Sequence, residues 1–143
     1  MILLDANLLI YSKMTGMAHH KASLSWLNKQ FGGHNKIGIP WESLIAFIRV
    51  TTNNRIFERA LSVEQAWKQV EEWLSGSLVW IPLPTEDHQN RLSKLIHLCA
   101  SSPGLIHDAH LAIIAMSHGL ELNSVDSDFS RFKGLAWCNP LEA

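Results

Sequence analysis

The fold is decided by the stretch from Met1 to Ser12, which runs MILLDANLLIYS. Three apolar residues, Ile2 to Leu4, lead directly to Asp5, and a second apolar run follows Asn7. An apolar run without polar alternation is typical of a strand that is covered on both faces, as in parallel sheets. Asp5 is therefore either the N-cap of a helix that begins near Ala6 or part of a site, because α/β sheets form their sites outside the carboxyl ends of strands.

The remainder of the chain alternates between short apolar runs and helical patterns. Strands are predicted over 37–39, 78–81, 120–124 and 135–138, and helices over 18–31, from 41, from 63, from 85 and over 105–118. Strands that are separated by helices predict right-handed βαβ units and a parallel sheet. We therefore expect a three-layer α/β/α fold around a central, mostly parallel twisted sheet of four to five strands, with residues 1–143 forming a single domain.

Several local predictions concern helix caps and buried faces. Ser62 and Gln65 have the spacing of a capping box, and Thr85 is predicted to cap a later helix. Trp67 is predicted to lie in the core, whereas Trp73 lies beside the apolar stripe, where an interface is plausible. The apolar stripes are predicted to be Trp41, Leu44, Ile45 and Ile48 in one helix, Val63, Ala66, Trp67, Val70 and Leu74 in the next, and Leu92, Leu95, Ile96 and Cys99 after Thr85.

The bulk composition narrows the function classes. The formal net charge is −1, which removes the strongly basic signal of many nucleic-acid-binding proteins without excluding a local basic face. Cys99 and Cys138 lie far apart, match no metal-binding spacing and fit a reducing compartment. We recognise neither a signal peptide nor a membrane-spanning segment, so we expect a cytoplasmic protein without a membrane partner.

Acidic residues occur where strands end or helices begin. The chain holds five aspartates, and four of them, together with one glutamate, have such apolar or terminal contexts: Asp5, Glu42, Asp108, Asp126 and Asp128. Because the carboxyl ends of parallel strands meet at one edge of a sheet, we expect these side chains to converge.

Carboxylates that gather in a partly dry site repel one another, and they remain ionised only if cations neutralise them. Oxygen ligands of this kind suit Mg²⁺ or Mn²⁺, which can activate water for the hydrolysis of phosphoesters. Each acid also has a structural alternative. Glu42 fits the positive end of a helix dipole, Asp108 can be a satisfied buried residue, and Asp126 with Asp128 can form an Asx-turn.

Several of these motifs together resemble the PIN-domain ribonucleases, and within them the VapC toxins of type II toxin–antitoxin modules. The resemblance rests on Asp5-Ala6-Asn7, Glu42, Asp108-Ala-His-Leu-Ala and Ser124-Val-Asp126-Ser-Asp128-Phe, with Phe47–Phe57 and Asp128–Pro140. It implies a PIN-like fold and a Mg²⁺- or Mn²⁺-dependent endoribonuclease that cleaves tRNA or rRNA with metal-activated water. It also implies a cognate VapB-type antitoxin, an RNA substrate and a homodimer.

The resemblance assigns roles to individual positions. Asp5, Glu42, Asp108 and Asp126 are the implied catalytic acids, and Asp5, Asp108, Asp126 and Asp128 the implied metal ligands. Asn7 and Ser124 are implied to shape the site. The family often has Thr at the position of Ser124, and a serine can make the same hydrogen bond.

Basic residues near these acids are candidates for contacts with the substrate backbone or the antitoxin. Arg49, Arg55 and Arg131 are the predicted contacts, although each can equally belong to a solvated face. His107 and His110 are predicted to be polar residues of a helix face. Two other functions stay open: a non-catalytic RNA- or protein-binding domain, and a small-molecule phosphohydrolase of the haloacid-dehalogenase type. The latter favours Asp-x-Asp, which Asp5-Ala6-Asn7 lacks.

Overall fold

The central sheet contains five strands in the order β3-β2-β1-β4-β5. A computed structural model describes residues 1–142, and all four neighbouring pairs of strands are parallel. The strands are β1 (Ile2–Leu4), β2 (Ile37–Gly38), β3 (Val79–Trp80), β4 (Glu121–Asn123) and β5 (Trp137–Cys138). The expected α/β class with a parallel sheet is therefore confirmed.

Helices cover both faces of this sheet. They are α1 (Ala6–Lys13), α2 (His20–Phe31), α3 (Trp41–Thr51), α4 (Val63–Leu74), α5 (His88–Leu95) and α6 (Leu105–Ser117), with 3₁₀ turns at Ile96–Cys99 and Ser127–Arg131. Ile2 and Leu4 pack into a core shared with α1 to α4, whereas Leu3 packs into a second core with α6. Successive side chains of a strand point to opposite faces, so this alternation forms the three-layer architecture.

The sheet topology brings the ends of β1 and β4 together. The chain winds from β1 through β2 to β3 on one side, whereas β4 and β5 lie on the other side of β1. Leu4 pairs with Asn123, and the Asp5 backbone N–H donates to the Asn123 carbonyl oxygen at 3.1 Å. Asp5 and Ser124 therefore leave adjacent strands at the same edge, which is the topological switch point where α/β sheets form their sites.

The predicted buried faces of α3 and α4 are partly wrong. Trp41 and Ile45 are 37% and 58% exposed, whereas α3 buries the predicted Leu44 together with Phe47. Trp67 is 44% exposed, whereas Trp73 is buried and its ring centroid lies 4.8 Å from that of Phe47. Both helices carry apolar residues at adjacent positions. Because successive helical positions differ by about 100°, one residue of such a pair can face the core while the other faces solvent.

The predicted caps have mixed outcomes. The capping box is confirmed, since the Gln65 N–H donates to Ser62 Oγ at 3.1 Å and the Ser62 N–H donates to Gln65 Oε1 at 2.9 Å. The Thr85 cap is wrong, because α5 begins at His88 and Thr85 contributes only its backbone carbonyl. Among residues 1–142, no helix combines the length and apolar character that a membrane span requires.

Candidate metal centre

Three carboxylates converge beyond the carboxyl end of β4. Asp108, Asp126 and Asp128 each place one carboxylate oxygen within 4.8 Å of the other two. Asp108 lies in the first turn of α6, and the two other acids lie in the segment that follows β4. The Asp128 N–H also donates to Asp126 Oδ1 at 2.9 Å. The Asx-turn considered as a structural alternative is thus present, and it forms part of the acidic cluster.

Asp5 is both a helix N-cap and a neighbour of this cluster. Its Oδ1 accepts the Ala6 N–H at 2.7 Å, and its Oδ2 accepts the Ser124 hydroxyl at 2.7 Å. Asp5 is not among the three residues whose oxygens lie within 4.8 Å of one another, but its charge raises the pKa of Asp108. The two roles that the sequence offered for Asp5 are therefore compatible.

Ser124 links the two strand ends through its hydroxyl group. It donates to Asp5 and accepts hydrogen bonds from Asn7 Nδ2 at 2.9 Å and from the Asp126 N–H at 3.1 Å. The residue is fully buried, and its carbonyl oxygen accepts the Trp137 indole N–H at 3.1 Å. These contacts leave the hydroxyl little rotational freedom and orient the carboxylate of Asp5.

The electrostatic environment of the cluster favours a bound cation. Burial, followed by the charges of Asp126 and Asp5, raises the pKa of Asp108 to about 6. Burial also raises the pKa of Asp5, against the opposing effects of its hydrogen bonds from Ser124 and Ala6. Carboxylates that resist ionisation in this way are stabilised by a divalent cation, and oxygen-only ligands suit Mg²⁺ or Mn²⁺. The residues present therefore fit a divalent metal ion.

Glu42 lies outside the group of three close carboxylates and faces a histidine. Its Oε2 is 3.7 Å from His110 Nε2, and this contact lowers the pKa of Glu42. The Oε2 atom is buried and has no hydrogen-bond partner within residues 1–142. Glu42 also lines an open recess with His107, whose charge lowers the pKa of Glu42, Asp5 and Asp108.

Sequence reasoning did not predict the contacts of two histidines. His110 was expected only on a polar helix face, yet it contacts both Glu42 and His88. His88 Nε2 lies 2.8 Å from His110 Nδ1. The only signal for His110 was its polar side chain within the most apolar helix. No sequence pattern connects it with His88, because the two residues are 22 positions apart and lie on different helices.

The predicted arginines have different positions. Arg131 Nε lies 3.5 Å from Asp128 Oδ1 in an exposed pair. Arg49, Glu42 and His107 line an open recess of about 390 Å³. Arg55 follows α3, and within the described part of the chain neither Arg49 nor Arg55 forms an ion pair. Arg131 and Arg49 thus border the acidic residues, whereas Arg55 has no such contact.

Comparison with known proteins gives the chain its family. Residues 2–135 match the family model of the PIN domain. Ribonuclease VapC37 of Mycobacterium tuberculosis is 38% identical over 98% of this chain and 97% of its own length.

Two solved structures share the fold. VapBC2 from Rickettsia felis, bound to a DNA fragment from its promoter, matches with a TM-score of 0.66 and 20% identity over 97% of this chain and 98% of the other. A toxin–antitoxin complex from Klebsiella pneumoniae matches with a TM-score of 0.59 and 17% identity over 98% of each chain. With the coverage and identity of the curated relative, the chain belongs to the PIN-domain family and, within it, to the VapC ribonucleases.

Proposed function

We propose that the protein is the toxin of a type II toxin–antitoxin system and a Mg²⁺- or Mn²⁺-dependent endoribonuclease that hydrolyses phosphodiester bonds of tRNA or rRNA. The observation that carries this proposal is the convergence of Asp108, Asp126 and Asp128 at the edge of the sheet where β1 delivers Asp5. Membership of the VapC ribonucleases supports the same activity.

The acidic residues divide the work in this proposal. Asp108, Asp126 and Asp128, together with Asp5, would hold the cation. When bound, the cation supplies Lewis-acid chemistry, which activates water and offsets the negative charge that develops on the phosphate. Ser124 keeps the Asp5 carboxylate in one orientation through its 2.7 Å hydrogen bond. Glu42 is the remaining catalytic acid at the border of the cluster.

The surroundings of the site fit a polyanionic substrate. Arg131 and Arg49 place positive charge beside the acids, and phosphate groups of RNA require such donors. We assign these two residues, together with Arg55 after α3, to contacts with the RNA backbone or the antitoxin.

We further propose a VapB-type antitoxin as partner, a homodimer and a cytoplasmic location. The structural likeness to VapBC2 from Rickettsia felis and to the toxin–antitoxin complex from Klebsiella pneumoniae supports an antitoxin partner. Co-purification of the chain with the product of an adjacent small gene, followed by measurement of the mass of the complex, tests both the partner and the dimer.

The activity is tested on end-labelled total tRNA and ribosomal RNA. Cleavage should require Mg²⁺ or Mn²⁺, stop with EDTA, and be lost in Asp5→Asn. Asp87→Asn is the matched control, because Asp87 is an exposed aspartate that pairs with Arg91 of α5 and is not one of the three close carboxylates. Cleavage at the wild-type rate by Asp5→Asn would show that the assigned site is wrong.

A further inference from the structure

Three side chains from three helices lie in a row beside the acidic cluster, each facing the next. Glu42 of α3 faces His110 of α6 at 3.7 Å, and His110 in turn contacts His88 of α5 at 2.8 Å. The two imidazole rings meet edge to face, with centroids 4.8 Å apart. His110 therefore has a carboxylate beside one ring nitrogen and an imidazole beside the other.

The arrangement selects one tautomer of each histidine. The 2.8 Å contact between His88 Nε2 and His110 Nδ1 is a hydrogen bond, and one of these two ring nitrogens carries its proton. If His110 Nδ1 carried it and the ring were neutral, His110 Nε2 would turn a lone pair toward the carboxylate of Glu42. If His88 Nε2 carries it, His110 keeps its own proton on Nε2, where the N–H points at Glu42. The negative charge of Glu42 favours the second arrangement.

The far end of this row agrees with this assignment. His88 Nδ1 is buried and has no hydrogen-bond partner within residues 1–142. In the favoured tautomer this atom is a bare acceptor, whereas the other tautomer would leave an N–H donor buried there without an acceptor. Burial and the neighbouring His110 also lower the pKa of His88, which keeps its ring neutral.

We propose that His110 is a positioning residue for Glu42 in RNA cleavage, and that His88 acts through His110 by fixing its ring and tautomer. The inference rests on the proposed nuclease function. The 3.7 Å separation is longer than a hydrogen bond, and catalytic hydrogen bonds of unliganded sites commonly tighten when substrate binds. His110 Nε2 is thus placed to donate to a carboxylate oxygen that has no hydrogen-bond partner among the described residues, and so to restrict the rotamers of Glu42.

Two nearly isosteric variants separate this role from simple packing. The amide nitrogen of Gln reaches the position of imidazole Nε2, so His110→Gln keeps a donor toward Glu42. The amide of Asn reaches only the position of Nδ1, so His110→Asn keeps the contact with His88 and loses the donor. We measure single-turnover cleavage of end-labelled total tRNA at saturating Mn²⁺, the half-saturating RNA concentration and the Tm of each variant.

The expected result is a rate loss of about tenfold or more for His110→Asn, with the half-saturating RNA concentration unchanged, and a rate for His110→Gln close to that of the wild type. Equal rates for the two variants, or a wild-type rate for His110→Asn, would overturn the proposal, because a packing role does not distinguish the two amides.

His88 supplies an independent test if His110→Asn fails to fold. His88→Gln retains a donor at the Nε2 position and should keep the wild-type rate, whereas His88→Ala should lose it in part. Where His110→Asn does fold, the double variant His88→Ala/His110→Asn should be no slower than His110→Asn alone, because His88 acts only through His110. If the rate losses of the two single variants add in the double variant, His88 does not act through His110.

Parallel assays of Asp5→Asn distinguish failure of the positioning role from failure of the nuclease assignment. Loss of cleavage in Asp5→Asn with wild-type rates in all His110 and His88 variants leaves the nuclease assignment intact and refutes only the positioning role. Wild-type cleavage by Asp5→Asn would instead remove the proposed site itself.

Discussion

Replacing Asp108 with asparagine should stabilise the metal-free protein at neutral pH while it removes nuclease activity. Burial and the charges of Asp126 and Asp5 raise the pKa of Asp108 from 3.8 to about 6. The largest causes of this shift are desolvation and like charges, which disfavour the ionised carboxylate in the folded state. An asparagine of nearly the same shape removes that charge, and the repulsion with it.

The raised pKa of Asp108 decides how stability changes with pH. Between pH 3.8 and pH 6 the folded protein binds a proton at Asp108 that the unfolded chain has released, so stability falls as pH rises through this range. A shift of this size corresponds to an upper bound of about 3 kcal/mol. Because the side chain is only half-buried, solvent screening reduces the expected gain to about 1 kcal/mol.

The assay is urea and thermal unfolding of wild type and Asp108→Asn in EDTA at pH 4 and at pH 8. The variant should be more stable at pH 8, with a Tm increase of about 2–4 °C, and its advantage should nearly vanish at pH 4. Mn²⁺ should then stabilise the wild type more than the variant, because binding to the folded state alone raises stability.

The control variant carries the same aspartate-to-asparagine change at an exposed position. Asp87→Asn should give no stabilisation, because Arg91 holds the pKa of the exposed Asp87 below its ordinary value. The reasoning fails if Asp108→Asn is no more stable than the wild type at pH 8. It also fails if its advantage is equal at both pH values.

Three further perturbations test the same structure. Ser124→Ala should slow RNA cleavage about tenfold in the Mn²⁺-dependent assay by freeing the Asp5 carboxylate, and Ser124→Thr should retain the rate; equal rates for both would contradict the hydrogen-bond argument. Trp73→Ala should lower the free energy of unfolding by about 3–5 kcal/mol in urea melts, whereas Trp67→Ala should cost clearly less, because 44% of Trp67 is exposed to solvent; the reverse order would contradict the observed core. Ser62→Ala should cost about 1 kcal/mol in the same melts through loss of the α4 cap, and an unchanged midpoint would count against that cap.

Some features were predictable because they depend on residues close together in the chain. The apolar run before Asp5 predicted a strand covered on both faces, and Ile2 and Leu4 indeed pack on one side of the sheet and Leu3 on the other. Ser62 and Gln65 predicted a cap that requires only a spacing of three residues.

The buried face of a helix was harder to predict when several stripes were apolar. Trp67 and Trp73 both lie on α4, and the local sequence offers each of them a hydrophobic neighbourhood. Only the contact of Trp73 with Phe47 on α3 decides which ring leaves water. Burial of an apolar side chain is a property of the packed layers, since transfer out of water depends on what covers the residue.

The sequence by itself determined the α/β class, the parallel sheet and the set of acids that a sheet edge can collect. The tertiary structure decided how those acids are arranged: Asp108, Asp126 and Asp128 lie together, Asp5 is fixed by Ser124, and Glu42 faces a histidine. Strand and helix periodicities are local and are visible in one dimension. The contact of His88 with His110 joins two helices through side-chain packing, and no local periodicity encodes which helices become neighbours.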